Sequence, residues 1–402
     1  MRRRVVITGI GPVTAAGIGK KEFFNSILEK KKLSLEIPEE FEKGYSFKSR
    51  RYVPLPEVDF NIYPEFKKLK YSTSLGVNIA ILSTILALED AKINDIEKST
   101  SVIMGVGIGS LENTFSAYNA HTSGKKFNRM SISLCMPNSI SAWISIAYKL
   151  HGASYTINTA CASSTNAIGE AYRKIADGYN DVVICGGVEC LKDNSGTTMR
   201  SFDVLSTLTK DPEGNPKPFT KNRSGFLYSE GAACTLILEE MEHALKRGAD
   251  IYAEIGGYAT NCDGYNIIMM PTDGDKCKEM LMQLIKDEKI DYYNAHGTGT
   301  ILNDQVEEKV IKEIFGEVNK QPYINSTKGI LGHNIGASGA IEAAICAISV
   351  KEGIIHCNDL DDPIEGLNLV NDNLHVNVNT AISASFGFGG HNAGLLFRKF
   401  NV

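Results

Sequence analysis

Five short runs in this chain are mostly apolar and pass into glycine-containing turns. They are VVITGIG from Val5, SVIMGVGIG from Ser101, DVVICGG from Asp181, YAEIGGYAT from Tyr252 and YYNAHGTGT from Tyr292. A strand that is apolar on both faces has to be covered on both faces. Such runs therefore predict an α/β fold in which a mostly parallel sheet lies between helices. Helical spacing of apolar residues falls between them, over 71–90, 162–177, 276–286, 304–315 and 338–351. The stretch KDPEGNPKP from Lys210 is rich in turn residues and reads as an exposed loop.

Two segments repeat one design. TINTACASSTNAIGEA (from Thr156) and YINSTKGILGHNIGASGAIEAA (from Tyr323) each run from a short strand through a polar turn into a helix of small residues. A duplicated βα unit accounts for 402 residues without a linker. The expected halves are residues 1–248 and 249–402.

Composition removes several function classes. With 42 basic and 47 acidic residues the net charge is −5, so no global basic footprint for nucleic acid exists. Nine cysteines are sparse and odd in number; the closest pair, Cys185 and Cys190, lacks zinc-ligand spacing. A reducing, cytoplasmic setting is expected. The longest apolar segment, Val77 to Leu88, carries Asn78, Ser83 and Thr84 and reads as a core helix, not a membrane span. Gly9, Gly11 and Pro12 break the apolar run after Met1-Arg2-Arg3-Arg4, which argues against a signal peptide.

Three residues stand where chemistry is expected. Cys161 lies where the strand YTINT meets a helix; a thiol at a helix N-terminus gains thiolate character from the dipole, and free N–H groups there can hold an oxyanion. His296 opens HGTGT directly after a strand, at the carboxyl end where α/β sheets place ligands, and Thr298 and Thr300 offer hydroxyls. His333 follows Lys328 in a glycine-rich turn before the second small-residue helix. His121, His151, His243, His356 and His375 have no such setting and read as structural. No H-E-x-x-H or similar spacing suggests metal.

TACAS around Cys161, NAHGTGT around His296, STKGILGHNIGASGAIE around His333 and SFGFGGHN from Ser385 together resemble the β-ketoacyl–acyl carrier protein synthases, of the synthase I/II type within the thiolase superfamily. The resemblance spans nearly the whole chain. Cys161 and His296 are 135 positions apart, and His296 and His333 are 37 apart, which suits that branch. It implies a five-layered αβαβα thiolase fold with two pseudo-symmetric halves, usually a homodimer, with a synthase-like heterodimer as the variant. It also implies decarboxylative condensation of malonyl carrier protein with an acyl group on Cys161, supported by His296 and His333. No cofactor beyond the carrier's phosphopantetheine is implied.

The same resemblance assigns further roles. The N–H groups of Cys161 and Phe386 would form the oxyanion hole, with Phe386 as gate. Lys328 would orient the second histidine loop with Glu342 as its charge partner and Asp304 in support. Thr298 and Thr300 would hold the pantetheine arm, and Ile108, Met199 and Phe202 would shape the acyl pocket. Lys67 and Lys68, with Lys125, Lys126 and Arg129, would dock the acidic carrier.

Departures from the pattern bear on substrate class: Ile301 replaces a proline, Thr220 and Ser224 replace aspartates, Ser229 replaces glycine, Asn166 a histidine and His391 a threonine. They suggest a specialised fatty-acyl or polyketide pathway, with ordinary fatty-acid elongation as the alternative. A biosynthetic thiolase would need a second cysteine in SFGFGGHN, and a synthase of the third type would lack His333. A chain-length-factor-like partner subunit, the reading from another class, would lack Cys161.

Overall fold

Ten strands carry the fold: β1 (Val5–Thr14), β2 (Ser101–Gly105), β3 (Ser154–Ile157), β4 (Val182–Cys190), β5 (Gly231–Glu240), β6 (Ala253–Cys262), β7 (Tyr292–Asn294), β8 (Tyr323–Asn325), β9 (Thr380–Gly387) and β10 (His391–Arg398). The computed structural model describes residues 2–401 apart from 68, 70–72 and 110. The strands run in the order β8-β7-β9-β10-β6-β1-β5-β4-β2-β3. Numbered within its own half, each set of five therefore reads 3-2-4-5-1. The pairing sense also repeats: β2 is parallel to β3 and β4 as β7 is to β8 and β9, and the other five of the nine neighbour pairings are antiparallel, which corrects the expected mostly parallel sheet. The two ladders meet only where Val6 and Ile7 of β1 pair with Glu254 and Ala253 of β6.

Six helices form the layers: α1 (Leu75–Asp90), α2 (Ser139–Tyr148), α3 (Ser163–Ala176), α4 (Asp275–Ile285), α5 (Ile301–Phe315) and α6 (Ser338–Glu352). Helices α3 and α6 lie between the two ladders and share one core with both. On the outer side, α1 and α2 cover the first ladder while α4 and α5 cover the second. The result is αβαβα. Strand residues alternate between these cores: Ile103, Val183 and Cys185 face the central layer, while Val102, Met104, Val182 and Ile184 face α1 and α2. In β10, Leu395 and Phe397 face inward and Leu396 outward. Burial on both faces is why these strands are apolar at successive positions.

The central helices pay for their position in side-chain size. Every residue of α6 from Ser338 to Val350 is buried, on all sides of the helix. A Cβ at Gly339 would overlap Thr165 Oγ1, and one at Gly169 would strike the ring of Tyr258. At these two close approaches only glycine fits, although the same layer buries Ile341, Ile345 and Ile348 elsewhere. Helix α1 begins at Leu75, where Ser74 Oγ accepts from the Val77 N–H at 3.1 Å; the expected start at Tyr71 lies outside the described residues.

Overpacking typically costs about 1–3 kcal/mol. Gly339→Val should therefore lower the urea midpoint of unfolding, well beyond the effect of Ile345→Val, which trims a buried side chain in the same helix. Equal midpoints for the two variants would show slack between α3 and α6 that the geometry denies.

Candidate active site

The turn after β3 is built to present a side chain. Ala160 adopts a left-handed φ of 49°, and Cys161 follows in a short 3-10 turn that leads directly into α3. Ser163 Oγ accepts from the Thr159 N–H at 2.9 Å and donates to the Ala160 carbonyl at 2.6 Å, closing the loop on itself. Gly387 of β9 approaches so closely that a Cβ there would lie 3.1 Å from the Cys161 nitrogen.

The two histidine loops converge on the same point. His333 Nε2 lies 3.1 Å from Cys161 Sγ, and its Nδ1 lies 3.0 Å from Ser338 Oγ. The rings of His296 and His333 have centroids 5.6 Å apart at 83°. Among the described residues no protein group hydrogen-bonds the His296 ring, and its buried Nδ1 is without a partner. Lys328 and Glu342 form a fully buried ion pair behind the histidines.

Buried acids fix the loops. Glu307 of α5 accepts from the N–H groups of His296 and Gly297, both at 2.8 Å. Asp304, one turn earlier, accepts from Gly299 at 3.1 Å and Phe219 at 2.8 Å. Glu189 of β4 accepts from Gly107, Ile108, Gly109 and Gly336, tying the Ile108 loop to the His333 loop. Glu307 and Glu189 were not singled out by the sequence. Their signals were an acid one helical turn after Asp304 and an acid inside an apolar strand.

Burial sets the electrostatics. It holds both imidazoles well below the usual histidine range, and the nearby Lys328 charge pushes them the same way. Both are neutral at physiological pH. Burial also pushes the Cys161 thiol up to about 11; the Lys328 charge and the N–H groups of Phe388 and Cys161 itself pull it down. Desolvation of the buried sulfur thus opposes the thiolate character expected from the helix start.

The N–H groups that face the sulfur are those of Cys161 and Phe388, whereas the resemblance names Cys161 and Phe386. Phe386 lies inside β9, paired with Asn392, its ring buried against His296. The residue whose N–H faces the sulfur is Phe388, just beyond the strand end and flanked by Gly387 and Gly389. Sequence shows two phenylalanines separated by one glycine; only the position of the strand end tells them apart.

A cavity of about 330 Å³ opens beside these groups. Cys161, His296, His333, Ile108, Phe202, Thr298, Thr300, Phe386 and Phe388 line it, and no other cysteine does among the described residues. Thr298 and Thr300 touch each other through their hydroxyls at 2.9 Å. Met199 does not reach the wall: it is buried in the cluster behind Phe202. Thr220, Ser224, Ile301 and His391 also stand off the wall. Lys67, Lys125, Lys126 and Arg129 are exposed, and Lys68 lies outside the described residues.

A thiol raised to about 11 stays neutral through the physiological range. Iodoacetamide modification of Cys161 should thus rise about tenfold per pH unit between about pH 7 and 9 without levelling. A plateau below about pH 8 would mean that the sulfur is ionised despite its burial.

Comparison with known proteins agrees with this geometry. Residues 2–244 match the family described as beta-ketoacyl synthase, N-terminal domain, and residues 252–358 match beta-ketoacyl synthase, C-terminal domain. 3-oxoacyl-[acyl-carrier-protein] synthase 1 of Haemophilus influenzae is 34% identical, with 99% of this chain and all of that protein covered. The Escherichia coli synthase 1 is 32% identical over 99% of each. A β-ketoacyl synthase structure from Burkholderia phymatum superposes with a TM-score of 0.88 at 30% identity over both full chains. A type II polyketide ketosynthase, solved in complex with its acyl-carrier protein, gives the same TM-score at 26% identity, again over both full chains. The five layers are thus the thiolase fold, and the chain is an acyltransferase that belongs to the β-ketoacyl synthase family.

Proposed function

We propose that this protein is a β-ketoacyl–acyl carrier protein synthase in which Cys161 carries the acyl group. The observation that supports this best is the 3.1 Å approach of the neutral His333 to Cys161 Sγ within a cavity that His296 also lines. In the first half-reaction Cys161 sulfur attacks the acyl thioester carbonyl, and the oxyanion sits between the Cys161 and Phe388 N–H groups. The carrier sulfur leaves and takes up the proton that the Cys161 thiol gives up, so it departs as the thiol. In the second, His296 and His333 donate to the malonyl thioester carbonyl. Carbon dioxide departs, the electron pair forms an enolate, and its α-carbon attacks the acyl group and expels the Cys161 sulfur. Loss of CO₂ supplies the carbanion, so no side chain has to remove an unactivated proton. Burial, helped by the charge of Lys328 that Glu342 holds in place, keeps both imidazoles neutral so that each can donate. Phe388, free of the strand and between two glycines, suits the gate.

Thr298 and Thr300 hold the pantetheine arm in this reading, and Phe202 with Ile108 bounds the acyl end. None of Thr220, Ser224, Ile301 and His391 touches that space, so these departures give the specialised-pathway reading no support from the cavity. We place the boundary between the halves at 248/249. A second copy completes the protein: β3 is the edge of its sheet, and on α2, which packs against it, Ile146 is 58% exposed. All nine cysteines are free, which suits a reducing cytoplasm. No helix among the described residues is long and apolar enough to cross a membrane.

Intact-mass analysis after incubation with a panel of acyl thioesters should show one adduct, mapped to Cys161 and absent in Cys161→Ser. It also reports whether saturated or specialised chains are accepted. His296→Ala and His333→Ala should keep acylation while losing on the order of 10²–10³ of malonyl decarboxylation. A wild-type protein that resists every acyl donor would overturn the reading and favour a non-catalytic partner subunit.

For the carrier, charge reversal at Lys67 and Lys126 should raise KM for carrier-bound substrate and leave a pantetheine analogue unaffected. Added salt should weaken only the carrier reaction, because exposed charges are screened over ~10 Å at 0.1 M. Equal losses on both substrates would remove these lysines from the docking surface.

A further inference from the structure

Both central helices start with the same serine device, and the two copies differ in where the hydroxyl hydrogen goes. Ser163 heads α3 and accepts the N–H of Thr159, four residues earlier, at 2.9 Å. Ser338 heads α6 and accepts the N–H of Asn334, also four residues earlier, at 3.1 Å. The backbones match: Ala160 and Ile335, each three residues before its serine, have left-handed φ values of 49° and 43°. Ser163 spends its hydrogen on the Ala160 carbonyl at 2.6 Å. Among the described residues no carbonyl takes the hydrogen of Ser338. The acceptor within reach is His333 Nδ1, at 3.0 Å.

A hydrogen inventory decides the tautomer. Ser338 has one hydrogen and two lone pairs, and the Asn334 N–H occupies one pair. If His333 carried its proton on Nδ1, that N–H would take the second pair and leave a buried hydroxyl hydrogen with no acceptor. If the proton is on Nε2, every group is satisfied: Ser338 donates to Nδ1, and Nε2–H points at the Cys161 sulfur. We propose that Ser338 is the positioning residue of His333, its hydroxyl fixing the imidazole in the Nε2–H form.

The loop around them is rigid enough to hold this arrangement. The His333 N–H donates to the Leu227 carbonyl at 2.9 Å, Ser229 Oγ donates to Asn334 Oδ1 at 2.8 Å, and Gly336 N–H is anchored on Glu189. Ile335, a β-branched residue in the left-handed region, keeps that conformation because its neighbours are tied on both sides. Two functional consequences follow. His333 enters the reaction as a donor already aimed at the cavity, and it is not the base that removes the Cys161 proton. The donor role rests on the proposed condensation chemistry, whereas the tautomer does not.

Nitrogen-15 NMR of histidine-labelled protein, with His333→Gln for assignment, reads the tautomer directly. Wild type and Ser338→Thr should show His333 with a protonated Nε2 and a bare Nδ1, and Ser338→Ala should show a mixture or the Nδ1–H form. A wild-type His333 protonated on Nδ1 would overturn the proposal, as would a Ser338→Ala spectrum identical to wild type. In kinetics with malonyl coenzyme A, Ser338→Ala should lower kcat of decarboxylation by about 10- to 100-fold, less than the ~10⁴ cost of a wrong histidine tautomer in a serine protease. KM and the Cys161 acylation rate should stay within about twofold, and Ser338→Thr should restore the loss, since the hydroxyl donor is what counts. Equal losses of acylation and decarboxylation without rescue by threonine would reduce Ser338 to a structural cap. A wild type that neither acylates nor decarboxylates would sink the proposed function, and the NMR result would still decide Ser338.

Discussion

Two helices have to share one layer between two sheets, and the site exists because of that crowding. Helices α3 and α6 pack against each other and against both ladders, so their closest approaches are made by small residues and their starts are brought together. Cys161 precedes one start and His333 the other, 172 residues apart in sequence and 3.1 Å apart in space. A larger residue at Gly339 or Gly169 would prise the helices from their neighbours. The nucleophile and its imidazole would separate before either was chemically altered. Packing and chemistry are the same constraint here.

The price of the buried location is electrostatic. A site sealed by apolar layers disfavours every charge within it, and the observed directions follow: both imidazoles down, Cys161 up, and Glu342 up to about 7 despite its ion pair with Lys328. For a condensation through an enolate this is useful in part. Neutral imidazoles are donors that do not compete as permanent charges, and fixed donors act most strongly where water is excluded. The nucleophile is the group that loses by it. Its compensation comes from the Lys328 charge and from two backbone N–H groups that can strengthen as negative charge develops.

Much of this was legible in the sequence. Apolar runs passing into glycine gave the first strand of each half, and the strand–turn–helix repeat gave the two halves of the site. Strand β5 was missed because GAACTLILEE, as apolar as the rest, ends in acids instead of glycine. Other misses share a cause: they depend on where a residue stops being in a strand or starts being in a wall. Phe386 and Phe388 look alike until β9 is seen to end at Gly387. Met199 looks like Phe202 until one is found behind the other. The helix dipole at Cys161 is visible in sequence, but the groups that enclose its sulfur, among them His333, Ile335 and Phe388, lie more than a hundred residues away.

Duplication explains how one loop design came to serve two purposes. In TACAS and NIGAS the left-handed residue, the following position, the alanine and the serine correspond one to one. The position after the left-handed residue is Cys161 in the first half and Gly336 in the second. The first half uses it to present a sulfur; the second uses its N–H to grip Glu189, freeing the preceding loop to aim His333. The serine diverges in the same way, satisfying its own turn in one half and facing an imidazole in the other. An identical backbone at two helix starts, set face to face by the layer they share, thus yields a nucleophile on one side and a hydrogen-bond donor on the other.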